Sequence, residues 1–212
     1  MPSPIADLTA RQRREVLSDL NYLNLGELKS WCRARSIPYA IWIETPHRER
    51  RQTGQCDRKG VLLERVRHYL NTGEVGEPTC FPARVVRHDR PPATLRPSDR
   101  MFYGQYDKAS DAMVGLLQRL TGGRFRNGAV ARILARDFWS KGVAPTHREF
   151  AAAWLEASAG HIRPNPEWAF LSDRADGRQT ADWKALRARK ARRVLAILHR
   201  LAPVERAGAA FR

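Results

Sequence analysis

Apolar residues recur at helical spacing along most of this 212-residue chain and alternate with other residues in one short stretch. Helical spacing places them on one face of each helix, where they can pack into a core, whereas alternation is typical of a strand. Two predicted helices open with capping boxes, Asn24 with Glu27 and Thr146 with Glu149, which satisfy otherwise unpaired backbone amides. The sequence therefore predicts a mainly α fold, with room for one large domain or two small ones.

Four segments follow one another along the chain. Predicted helices and the alternating stretch occupy 9–75, and the next segment, 76–107, is rich in proline and has little periodicity. We interpret 76–107 as a linker, or as a strap whose apolar side chains hold it on a domain surface. Three predicted helices and a long final one make 108–202 a basic helical bundle, and 203–212 is a tail.

The alternating stretch, AIWIET, is followed by Pro46 and then by RERRQT, which predicts a small β-hairpin over 41–52. The predicted tip is basic. The tip region contains His47, Arg48, Arg50 and Arg51. A protruding basic ribbon can enter a nucleic-acid groove or remain a solvated loop, so both interpretations stay open.

The stretch GQCDRKGVLLERVRHYL predicts a turn followed by a helix that Asp57 caps. Arg58 and Lys59 fall in the first turn, where positive charge opposes the helix dipole. An anion bound to the exposed amides of that turn makes the positive side chains favourable there, so the sequence predicts a phosphate at this position. The buried stripe of this helix is expected to be Leu62, Val66, Tyr69 and Leu70.

The final helix, within 180–201, carries its charges mainly on one side. Asp182 is its only acidic residue, against seven Lys and Arg. A solvated helix face normally mixes the two signs of charge. Backbone-phosphate contact and simple solvation are the two interpretations of this face. At about 100° per residue, the arginines opposite the apolar face are Arg189, Arg192, Arg193 and Arg200.

The formal net charge of +16 and the isoelectric point near 10.9 make a polyanion the expected class of partner. The charge is unevenly spread, with +4 on 1–75, +2 on 76–108 and +10 on 109–212. The C-terminal half is therefore the stronger electrostatic attractor.

Other functions find little support in the residue pattern. The N-terminus resembles no signal peptide and no stretch is apolar enough to span a membrane, so we expect a cytoplasmic, nucleoid-associated protein with no membrane contact. Cys32, Cys56 and Cys80 are isolated from one another, and we expect no metal and no other cofactor. No nucleophile elbow, P-loop, zinc-protease or paired-carboxylate motif occurs, so we expect no enzymatic activity.

Two pieces of the chain, LNLGELKSWCRARSIPY and TGQCDRKGVLLERVRHYLNTG, resemble the SAP motif, a helix-turn-helix unit that binds DNA, over about 20–73. The resemblance implies that the end of the first helix and the start of the second face the duplex. The residues carried over by position are Lys29, Arg33, Arg35, Gly54, Arg58, Lys59 and Arg65. The chain departs from the motif in the insertion AIWIETPHRERRQ, where SAP motifs have only a residue or two.

The stretch over 109–157 loosely resembles an uncharacterised helical domain that accompanies SAP-like motifs in bacterial proteins, and this resemblance implies no activity. Within the stretch, a Gly-containing turn between two predicted helices has the outline of a helix-turn-helix. The expected architecture is thus a SAP-like unit with a hairpin insertion and a C-terminal helical bundle.

The leading hypothesis is a DNA-binding protein that contacts the duplex mainly through phosphates. Weak base preference is expected, because phosphate contacts carry no sequence information. RNA is an alternative, since charge does not distinguish the two nucleic acids. A second alternative is an adaptor whose tryptophan-rich helical half binds a protein partner. Those tryptophans are Trp139, Trp154, Trp168 and Trp183.

Overall fold

The computed structural model describes residues 3–107, 110–160 and 181–201. Within these ranges the chain is mainly helical with one small sheet, so the predicted fold class is confirmed at that level. The helices are α1 (Ala10–Asp19), α2 (Leu25–Ala34), α3 (Lys59–Thr72), α4 (Asp111–Leu120), α5 (Ala129–Ser140), α6 (His147–Gly160) and α7 (Ala181–Arg200). The strands are β1 (Ala40–Glu44), β2 (Arg50–Cys56) and β3 (Cys80–Phe81), and short 3-10 turns occupy Leu20–Tyr22 and Ala83–Val85.

The chain forms two compact units, and each is built from separated segments. The first unit contains α1, α2, α3 and α7, and the second contains the three strands with α4, α5 and α6. The first unit comprises the described residues of 3–39, 57–78 and 181–201. The second unit comprises 40–56, 79–107 and 110–160.

This division differs from the predicted domains in three places. The hairpin belongs to the second unit rather than to the SAP-like segment 9–75, because β1 pairs with β3 and buries Ile41 and Ile43 in that core. Helix α7 belongs to the first unit rather than to 108–202, because its apolar face packs against α1. Most of the proline-rich segment, 79–107, is integral to the second unit. The predicted tail, 203–212, lies outside the described residues.

Helix α7 supplies one side of the first unit's core. Its Val194 and Leu198 are fully buried beside the apolar faces of the other three helices. Each such side chain contributes roughly 1.5–3 kcal/mol on burial. The stripe predicted for α3 is confirmed as buried. The main core side chains are Val16, Leu20, Leu28, Trp31, Leu62, Val66, Tyr69, Leu70, Val194, Ile197 and Leu198.

The second unit packs α4, α5 and α6 with a sheet of strand order β2-β1-β3. The predicted hairpin is confirmed, with β1 and β2 antiparallel, while β3 joins β1 in parallel. Phe81 lies in edge contact with Tyr103 and Trp139, with ring centroids 5.0 and 5.8 Å away. Edge-to-face pairs of this kind stabilise a core beyond their buried area. The predicted strap thus contributes core residues.

Local capping follows the sequence at two helices and departs from it at two others. The boxes that join Asn24 to Glu27 and Thr146 to Glu149 both form, which confirms the prediction. Asp57 was predicted to cap α3, but the N-cap is Arg58 and makes no capping bond with its side chain. The sequence NGAVARILARDFWSKG also predicts Asn127 as the cap of α5, and this prediction is wrong because the Asn127 side chain has a different partner. The Asn127 carboxamide oxygen accepts from Tyr106, and Gly128 occupies the N-cap position.

Candidate nucleic-acid interface

The cations predicted to contact DNA fall into three regions: α2 with α3, the hairpin tip, and α7. Arg35 lies at the end of α2, where its Nη2 donates to the carbonyl oxygens of Leu198 and Leu201 at 2.8 and 2.9 Å. Its guanidinium carbon lies 4.2 Å from the centroid of the Trp31 ring. Burial lowers the pKa of Arg35. The side chain therefore caps the C-terminal end of α7, where positive charge is favourable.

Lys29 and Arg33 lie beside the ring of Tyr39. Each cationic group is 5.7 Å from the ring centroid, and Arg33 Nε also donates to the Tyr39 hydroxyl at 3.3 Å. Arg33 is exposed and Lys29 is half-buried. Cation–π contacts near a protein surface contribute only about 0.5–1 kcal/mol, so an external anion can compete for these two cations.

The predicted phosphate turn before α3 has a different geometry. Gly54 lies within strand β2 rather than in a turn, and α3 starts at Lys59. The Lys59 ammonium donates to the carbonyl oxygen of Asn21. Arg58 is half-buried at the N-cap. The Lys59 ammonium thus already has a hydrogen-bond partner within the protein, and a phosphate at this helix start stays a prediction.

Arg65 is held inside the first unit. Its Nη1 pairs with the Asp57 carboxylate at 2.6 Å and donates to the carbonyl oxygen of Pro38 at 2.9 Å. The two side chains are only 13% and 5% exposed. Removing one partner from such a pair leaves an uncompensated buried charge. Arg65 therefore has a structural role in α3, which also explains why Asp57 does not cap the helix.

The hairpin tip carries its cations into solvent. Arg48, Arg50 and Arg51 are all exposed, and Arg50 lies opposite Glu44 in the strand register. Arg48 has a φ of 63°, in the left-handed region that favours glycine. The tip is therefore an accessible basic loop with one unusual backbone position.

Helix α7 divides its cations between two sides. On the side facing α1 and α2, Lys190 pairs with Asp19 at 2.8 Å and Arg193 pairs with Glu15. Arg187 likewise pairs with Glu27 and donates to the Tyr22 carbonyl oxygen at 2.9 Å. On the other side Arg189 and Arg192 are exposed. Arg193 keeps 57% of its side chain exposed despite its partner.

Two arginines that the predicted site omitted lie beside Lys190 and Arg193, on the side of α7 that faces α1. Arg11 and Arg14 of α1 are exposed and line a shallow groove with Lys190 and Arg193 of α7. The two ion pairs between the helices run in opposite order along them, so α1 and α7 are antiparallel. The spacing of Arg11 and Arg14 indicated an outward face of α1, but no sequence signal indicated that this helix packs against α7. The groove is completed by Glu15, Ser18 and Asp19.

The outer face of α6, the second helix of the helix-turn-helix outline, presents little positive charge. Helix α6 exposes Arg148 together with Glu149 and Glu156, so its outer face carries more carboxylates than cations. A hydrogen bond from Thr146 lowers the pKa of Glu149, which keeps that carboxylate charged. Phosphates are repelled by such a face.

The tryptophans of the proposed adaptor surface are mostly internal. Trp139 and Trp154 are 4% and 6% exposed, and Trp183 is half-buried with its ring 5.6 Å from that of Tyr22. Trp168 lies outside the described residues. The described tryptophans therefore form no exposed aromatic patch for a protein partner.

The thiol of Cys32 is part of the first unit's apolar core. Cys32 is buried, and this burial raises the pKa of its thiol to about 12. Among the described residues, no three His, Cys, Asp or Glu side chains are grouped to hold a metal ion. No helix in the described part of the chain is long and apolar enough to cross a bilayer.

Comparison of the chain with models of protein families, with curated proteins and with solved structures finds no match. Any assignment of function therefore depends on the geometry described above.

Proposed function

We propose that this protein binds duplex DNA, mainly through backbone phosphates, with the outer faces of α1 and α7 as the principal contact surface. The observation that carries the proposal is the arrangement of Arg11, Arg14, Arg189 and Arg192. All four are exposed, and they belong to two antiparallel helices that pack together. Positive charges on neighbouring surfaces repel each other. A bound polyanion neutralises them and so removes this repulsion.

The spacing on α7 suits a nucleic-acid strand. Arg189 and Arg192 are three residues apart, which is about 4.5 Å along a helix axis. The charges of one DNA strand follow each other at about 3.4 Å along the duplex axis. Two long guanidinium side chains can therefore contact neighbouring phosphates from one helix face, and each can do so with two hydrogen bonds.

The acidic residues of this region are already neutralised within the protein. Glu15 and Asp19 line the same groove, and both are engaged by α7 through Arg193 and Lys190. The groove therefore keeps two cations in excess, Arg11 and Arg14. A phosphate approaching it meets a surface whose net charge is positive.

The resemblance of α2 and α3 to the SAP motif supports DNA as the class of partner. Our proposal keeps Lys29 and Arg33 from that set, because their positions leave them accessible. It leaves out Arg35, Lys59 and Arg65, whose nitrogen atoms donate to backbone carbonyl or carboxylate oxygens. On this proposal the protein acts in the cytoplasm, on the nucleoid.

The experiment is a titration of a fluorescent duplex of about 20 base pairs at several salt concentrations. If six phosphates are contacted, log K should fall with log salt at a slope of about −5. Exchanging both Arg189 and Arg192 for glutamine should weaken binding and reduce the magnitude of the log K against log salt slope by about 2. The matched control exchanges Arg119 and Arg148, two exposed arginines of α4 and α6, for glutamine and should leave the slope nearly unchanged.

Three results would contradict the proposal. A wild-type slope near zero would remove phosphate contact as the source of affinity. Equal losses in the α7 variant and the control variant would show that net charge matters and the α1 and α7 surface does not. Tighter binding to an RNA duplex of the same sequence would move the protein to the RNA-binding class.

A further inference from the structure

The hairpin of the second unit ends in a tight loop with a defined geometry. The Arg48 amide donates to the Thr45 carbonyl oxygen at 2.9 Å, and the Thr45 amide donates to the Glu49 carbonyl oxygen at 2.8 Å. Pro46 occupies the second position of this turn, where its fixed φ is favourable. The result is a three-residue loop whose last residue adopts the left-handed conformation.

Arg48 occupies that left-handed position, with φ of 63°. Glycine is the usual residue there, because a Cβ comes too close to the backbone in this conformation. Strained backbone of this kind often occurs at sites where a side chain has a function. Arg48 is exposed, so packing within the described structure does not account for the residue.

The shape and charge of the hairpin restrict what it can contact. Ile41 and Ile43 of β1 are buried in the core, so one face of the ribbon is covered. On the other face, Glu44 lies opposite Arg50 in the strand register. The pairing of β1 with β3 stops at Ile43, and the residues of 46–52 are all exposed. The tip is therefore the part of the ribbon that can enter a groove.

A two-stranded ribbon fits the major groove, which is about 12 Å wide, whereas the minor groove of about 6 Å admits single side chains. Stretches of A·T pairs narrow the minor groove further and strengthen its negative potential, which attracts an inserted arginine. A loop tip with one strained, exposed arginine matches this second geometry. We propose that Arg48 enters the minor groove of a DNA duplex and gives the protein a preference for A·T-rich DNA.

This inference depends on the proposed DNA binding and adds base preference to it. The test compares two duplexes of about 20 base pairs, one with a central run of A·T pairs and one rich in G·C. Wild-type protein should favour the A·T duplex by about tenfold. Arg48→Gly should abolish that preference. Because glycine relaxes the left-handed position, the thermal unfolding midpoint of this variant should be equal to or above that of the wild type.

The matched control is Arg51→Gln, which removes one exposed charge from the adjoining strand. It should weaken binding to both duplexes equally and keep the A·T preference. Equal wild-type affinity for the two duplexes, or an A·T preference that survives Arg48→Gly, would overturn the inference while DNA binding stands. Absence of salt-dependent binding to either duplex would overturn the proposed function itself. Tighter binding to double-stranded RNA would also count against it, since the minor groove of RNA is wide and shallow.

Discussion

At the start of α3, Lys59 donates to the Asn21 carbonyl oxygen and Arg65 pairs with Asp57, whereas in the middle of α7 Arg189 and Arg192 are exposed. Both regions are cationic stretches of amphipathic helices. The difference lies in the oxygens that the fold brings near them. Internal carbonyl and carboxylate groups surround the first region, while solvent surrounds the second. A run of basic residues therefore indicates an anion-binding surface only after its internal partners are known.

The largest expected effect is on the buried pair. Arg65→Ala should lower the free energy of unfolding by about 3–5 kcal/mol, because it leaves the Asp57 carboxylate buried without a partner. Chemical denaturation of the full chain measures this. The double change Asp57→Asn with Arg65→Met should recover a large part of the loss. A loss below about 1 kcal/mol for the single variant would mean that Asp57 is effectively solvated.

The next effect concerns the attachment of α7. Arg35→Ala should cost about 2 kcal/mol, since two hydrogen bonds to the end of α7 and the stacking on Trp31 are lost. Hydrogen exchange should show faster exchange of the α7 amides. Arg35→Lys keeps the charge but loses the planar guanidinium, so its stability should lie between those of the wild type and Arg35→Ala. Unchanged α7 exchange in the alanine variant would show that apolar packing alone holds this helix.

Two smaller effects should distinguish the start of α3 from the exposed arginines of α7. Lys59→Met should cost about 1 kcal/mol of stability and leave the salt dependence of DNA binding unchanged. Arg192→Gln should alter stability by less than about 0.5 kcal/mol and reduce the salt slope by about 1. Denaturation and duplex titration on the same preparations provide both numbers. If Lys59→Met flattens the slope as much as Arg192→Gln does, the start of α3 also contacts phosphate.

The smallest effect extends the comparison to pH. His147 in the second unit is 3% exposed, and burial lowers its pKa below the usual 6.5. Its Nδ1 lies 2.8 Å from the Asp99 carbonyl oxygen. The unfolded chain therefore binds more protons than the folded one in acid, and stability falls as the pH drops below about 6.5.

Thermal unfolding at about pH 7.5 and about pH 5.5 tests this titration. The wild type should lose stability between the two conditions, and His147→Gln should lose less because it has no imidazole to protonate. An equal loss in both proteins would assign the acid sensitivity to other groups.

Sequence patterns identified the features whose partners are close along the chain. The capping boxes at Asn24 and Thr146 depend on residues three positions away, and both form. Asp57 and Asn127 have side-chain partners farther away, Arg65 and Tyr106, so the helix caps predicted for them do not form. Helical periodicity also indicated the outward arginines of α7. The hydrogen-bond acceptors of Arg35 lie more than 160 residues away, which local spacing cannot indicate.

The interleaving of the two units has a consequence for protein synthesis. The ribosome releases α1, α2 and α3 long before α7, yet α7 supplies one side of the core that these helices share. At typical rates of about 5–20 residues per second, the early helices wait several seconds with part of their apolar surface uncovered. The α1 and α7 surface exists only after translation has passed residue 201. A nascent chain therefore acquires its proposed affinity for DNA late, when both units can already be complete.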